Sequence, residues 1–161
     1  MSTPKARIPA VLMAASALFG AASAQPPTST PPSAGETAVH MVVARARIHA
    51  DACAAKDPRL KADLDRAIAE LGARVDAVAR PLLASGKYKA LAGVPLPAEV
   101  AEVVATGADA LREQMSEAGA TTGCPAFLAS LGSLKGEPLQ SAVAQALDAM
   151  QEALVNHGPQ P

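Results

Sequence analysis

His49 and Cys53 stand four residues apart, so on a helix they share one face, the spacing that metal ligands use. A metal site there would need a reduced thiol and two further ligands, and the sequence offers none nearby. Cys124 is the only other cysteine. Two cysteines without CxxC spacing, in a chain that reads as exported, are expected to form a Cys53–Cys124 disulfide. His49 then becomes a neighbour of the bridge rather than a ligand.

A second group lies at the chain's two ends. In an up-down bundle the first helix starts beside the end of the last, which would bring His40 and Met41 towards His157 and Met150. A thioether and an imidazole facing each other are the axial ligands of a bundle-held haem, and the same pair suits copper. No CxxCH is present, so covalent haem attachment is not expected. Against the site, His157 falls in the terminal HGPQP, and methionines fill irregular gaps in helical cores. Met41, His157 and His40 are therefore the candidate metal ligands of an alternative reading, and the leading reading assigns no cofactor.

Asp109, Glu113 and Glu117 repeat every four residues and would form an acidic ridge along one helix. Such a ridge can meet a basic partner, although a run of like charge more often marks a solvated face. No EF-hand loop accompanies it, so calcium is not expected. The sequence has no G-x-S-x-G, H-E-x-x-H, phosphate loop or dinucleotide fingerprint. No catalytic residue is assigned.

The elements that would carry these groups are helical. Apolar residues recur every three to four positions, and no stretch alternates as a strand would. A first helix is expected from Ser33, whose spacing to Glu36 fits a capping box, with Val39, Val43, Ala46, Ala50 and Cys53 inward. A second opens on Asp57-Pro58 and carries Leu60, Leu64, Ile68, Leu71, Val75, Val78 and Leu82 until Pro81 kinks or ends it. After a loop holding Tyr88 and LAGVPLP, a third helix runs from about Pro97 to Ala118 with Val100, Val104, Leu111 and Met115 inward. Cys124-Pro125 opens a short helix, and the last begins at Pro138 with Leu139, Val143, Leu147, Met150 and Leu154 inward. The expected fold is all-α: an antiparallel four-helix-type bundle with an extra short helix, stapled by one disulfide.

Two segments precede that domain. Lys5 and Arg7, the apolar run Ile8 to Ala21 and the small residues Ala22-Ser23-Ala24 have the layout of a signal peptide over residues 1–24. The apolar run is too short for a membrane span, so no anchor is expected after cleavage. Residues 25–35 are rich in Pro, Ser and Thr and read as a disordered leader to a domain over 36–158. Removing the signal takes Lys5 and Arg7, leaving 12 basic residues against 15 acidic ones. That mild acidity argues against nucleic acid as a partner. Tyr88 and Phe127 are then the only aromatic residues, too few for the stacking platforms that hold sugars or single strands. The expectation is a periplasmic or secreted module of accessory, inhibitor or immunity type, whose partner is another exported protein. The alternative is a small haem- or copper-binding bundle.

Overall fold

A computed structural model describes residues 31–84, 86–117 and 123–157. The expected signal peptide lies outside the described residues, as does most of the leader. Five α-helices follow in order: α1 (Ala34–Lys56), α2 (Lys61–Ala84), α3 (Ala98–Glu117), α4 (Cys124–Ser133) and α5 (Gly136–His157). A 3₁₀ turn, Pro58–Leu60, joins α1 to α2, and a longer 3₁₀ segment, Gly86–Ala92, follows α2. No strand occurs among the described residues, only an isolated bridge between Ser33 and Pro95. The fold is the all-α bundle that the periodicity predicts, with α4 as the extra short helix and Cys53 bonded to Cys124 across a separation of 71 residues.

The helix boundaries follow from local chemistry. Ser33 caps α1 by accepting from the Glu36 amide, while the Glu36 carboxylate accepts from the Ser33 amide at 2.8 Å. That second bond, then the Ser33 hydroxyl, holds the Glu36 carboxyl below its ordinary range. Asp57 caps the next start by accepting from the Arg59 amide, with Pro58 in the first position. The first residues there wind as 3₁₀ before the α-helix sets in. Pro81 lies inside α2, which continues for one more turn to Ala84. Gly86 has φ +64°, a backbone state that a side chain disfavours, and this turns the chain into the 3₁₀ segment.

The first helix begins earlier than composition implies. Ala34 and Gly35, counted in the Pro/Ser/Thr-rich stretch, are the first residues of α1 and are buried. Their small size is the reason: a Cβ on Gly35 would lie 2.7 Å from Leu83 Cδ2 and 3.2 Å from the Leu91 carbonyl. The Ala34 amide also donates to the Val94 carbonyl at 2.8 Å, tying the start of α1 to the segment after α2.

The core is aliphatic. Leu64, Ile68, Leu71 and Val75 of α2 meet Leu139, Val143, Leu147 and Met150 of α5 and the Ala-rich face of α1. Tyr88 and Leu91 of the 3₁₀ segment, which its sequence presents as a loop, are buried in the same core. No charged or polar side chain is buried among the described residues. α3 is the exception to tight packing. It lies against α1 and α5, and among its described side chains Val100 near its start is the one buried, while Val104, Leu111 and Met115 are only half-buried.

Candidate functional site

The loose seating of α3 has a cause in the residue sizes along α5. Leu139, Val143, Leu147 and Met150 fill the core face of α5. On the adjoining face stand Ala142, Ala146, Ala149 and Ala153, spaced four, three and four apart, and α3 answers them with Gly107 and Ala108. Methyl groups cannot span the gap that leucines usually fill between helices. A cavity of about 620 Å³ results, bounded by Met41, Val42 and Ile48 of α1, by Val103, Val104 and Leu111 of α3, and by the alanine face of α5.

The cavity is apolar but has a charged edge. Among the described residues Arg45 of α1 is the only charged one that lines it, and Gln145 of α5 is the only other one with a polar side chain. Arg45 is exposed and makes no ion pair or hydrogen bond to the described residues. The Gln145 amide nitrogen donates to Ser141 Oγ at 3.3 Å, which leaves the Gln145 oxygen uncommitted. Among the described residues no histidine, cysteine, serine or carboxylate lines the cavity. That lining suits an apolar guest, and none of the described residues in it is a nucleophile or a general base.

The residues singled out from sequence are spread over the molecule. Met41 lines the cavity together with Met150. His157 instead borders a smaller surface depression of about 350 Å³ with Glu99, Glu102 and Thr106, and His40 is exposed and lines neither space. The Met and His groups are thus not gathered around one volume. Among the described residues no three His, Cys, Asp or Glu side chains are placed to share a metal ion. Asp109 and Glu113 are exposed on α3 and do not line the cavity, Asp109 being paired with Arg112. Glu117 ends α3, and its side chain lies outside the described residues.

His49 finds a partner that the spacing argument overlooked. Its ring stacks on Phe127 at 4.8 Å between centroids, next to the Cys53–Cys124 bond, so it serves the α1–α4 contact. The alanine face was the signal available in the sequence for the cavity. Ala142, Ala146, Ala149 and Ala153 follow helical spacing as regularly as the leucines do, but small residues read as ordinary helix formers until their neighbours are known.

No helix among the described residues is long and apolar enough to cross a membrane. No protein-family model, curated protein or solved structure matches this chain. Its function is therefore read from its own geometry.

Proposed function

We propose that this chain is an exported accessory protein that works by binding: it holds an apolar guest in the cavity between α1, α3 and α5. The observation that carries this reading is the cavity itself. Its volume of about 620 Å³ falls in the range of about 300–1,000 Å³ typical of ligand sites, and its walls are almost wholly apolar. Export rests on the signal-like residues 1–24 and is supported by the disulfide, a bond that persists in oxidising compartments. The partner expected from sequence, another exported protein, finds little apolar surface elsewhere. Val94, Val103 and Val155 are the only exposed large apolar residues among those described, and Val103, 49% exposed, is the one on the cavity's rim. A guest that enters the cavity fits better than one that lies flat on the surface.

Two measurements test the reading. Intact-mass analysis of the protein from the producing cell's periplasm or medium should give a chain that begins at Gln25 and lacks two hydrogens relative to the reduced form. A haem or copper ion retained in that mass would move the assignment to Met41 and the histidines. Titration with the neutral dye Nile red should give saturable enhancement of fluorescence, and Ala146→Leu, which fills the cavity without touching the core face of α5, should abolish it. Dye binding that is absent, or unchanged in Ala146→Leu, would reject the cavity as the binding site.

A further inference from the structure

The charge at the cavity's edge narrows the class of guest. Most cations of this protein have partners: Arg47 and Lys61 share Asp65, Arg59 pairs with Asp57, Lys87 with Asp148 and Arg112 with Asp109. Arg74 donates to the Leu131 carbonyl at 2.7 Å at the end of α4. Among the described residues Arg45 has neither an acid nor a carbonyl as partner, and it is the single charge beside a volume whose walls are almost wholly apolar. Among the described residues no carboxylate lines the cavity to neutralise it. The long stem of an arginine can run along an apolar wall while its guanidinium stays in water at the rim, where it offers a planar, two-pronged donor.

We infer that the guest is a single-chain amphiphile with a carboxylate head, its tail in the α1–α3–α5 cavity and its head paired with Arg45. The inference rests on the binding reading above and adds the ligand's class. An apolar tail is selected by Met41, Ile48, Leu111 and the alanines of α5, which offer it no polar partner. One negative charge is selected because one cation is present. A carboxylate matches the guanidinium fork with two parallel hydrogen bonds. A volume of about 620 Å³ suits one small ligand, whereas a two-chain lipid would leave much of its tail in water.

Displacement of Nile red from the full disulfide-bonded protein separates the possibilities, with each competitor kept below its micellar concentration. Octanoate, decanoate and dodecanoate should displace the dye with affinity that rises about fourfold per methylene. Dodecanoate should outcompete dodecanol and dodecyltrimethylammonium by about fivefold, the upper range for a water-exposed ion pair. Arg45→Gln should remove that preference, so that within the variant dodecanoate binds no more tightly than dodecanol. Equal displacement by all three head groups, or a preference that survives Arg45→Gln, would overturn the inference while leaving the cavity a binding site. Dodecyl phosphate binding as tightly as dodecanoate would overturn the carboxylate assignment. A protein that never binds the dye would remove both readings together.

Discussion

Gly35 shows how much can rest on one missing methyl group. It sits where α1 meets both α2 and the 3₁₀ segment, and any side chain there would meet Leu83 and the Leu91 backbone. Leu83 can swing aside, but the Leu91 carbonyl carbon and oxygen, both 3.2 Å from an ideal Cβ, belong to the main chain and must move as a body. Gly35→Ala should therefore cost about 1–3 kcal/mol through overpacking, despite the better helix propensity of alanine. Urea unfolding would check this, and a gain in stability would mean that the contact relaxes freely. Arg74 works in the opposite way, by adding a group. Its guanidinium reaches the carbonyls of Leu131 and Gly132 in the last turn of α4, where no intrahelical donor is available. Glu70 stands one turn before Arg74 on α2, the spacing of a helical ion pair, but the partners Arg74 finds are two carbonyls on a neighbouring helix.

At the scale of elements, two pieces of the fold are held by bonds that can be switched from outside. The Cys53–Cys124 bond fixes the end of α1 to the start of α4 and closes a long loop. Reduction should lower stability by about 4 kcal/mol on the chain-entropy account, with helical circular dichroism retained at room temperature. Identical melting temperatures with and without reductant would refute that. The 3₁₀ segment is fastened to α5 by Lys87 and Asp148, which approach to 2.6 Å, and by the Tyr88 hydroxyl, which donates to the Ala144 carbonyl at 3.4 Å. Lys87, then Tyr88, holds the Asp148 carboxyl below its ordinary value, and Asp148, then Tyr88, raises the Lys87 ammonium. A lowered carboxyl contributes stability above its unfolded value, near 3.8, and loses it as pH falls through the folded value. A raised ammonium contributes fully below its unfolded value, near 10.5, and loses it as pH rises further. The melting-temperature difference between the parent and Asp148→Asn should thus be flat across neutral pH and shrink at both extremes. Because both groups are exposed, the difference will be small. A difference that does not change with pH would mean that the pair does not form in solution.

At the scale of the whole molecule, packing is uneven. α1, α2 and α5 enclose a continuous aliphatic core, whereas α3 is held firmly only near Val100 and rests on small residues beyond it. Empty apolar volume is costly because its walls lack contact partners, so the cavity is a place where added atoms should stabilise. Ala146→Leu is expected to raise the melting temperature, by about 1 kcal/mol in stability, as it blocks dye binding. A fall in stability would mean that α3 cannot move aside to admit the larger side chain. Function and stability are thereby opposed at this position: the residue that leaves room for a guest also leaves the bundle less tightly closed.

The sequence by itself determined the class of fold, the capping of α1 and the inward stripes of α2 and α5, because these depend on spacing along one helix. The α2 stripe and the Ser33–Glu36 box are of that kind, and the pairing of the only two cysteines follows from their number. What depends on the relative placement of helices was decided only by tertiary structure. Gly35 belongs to α1 because of what lies across from it, and His49 meets Phe127 because the disulfide brings their helices together. Met41 and His157 could be placed at the ends of neighbouring helices from sequence, but not turned towards the same space or away from it. The cavity was the least legible feature. It arises where small residues on α1, α3 and α5 coincide, and a gap between three helices is a property of their packing that no single stretch of chain encodes.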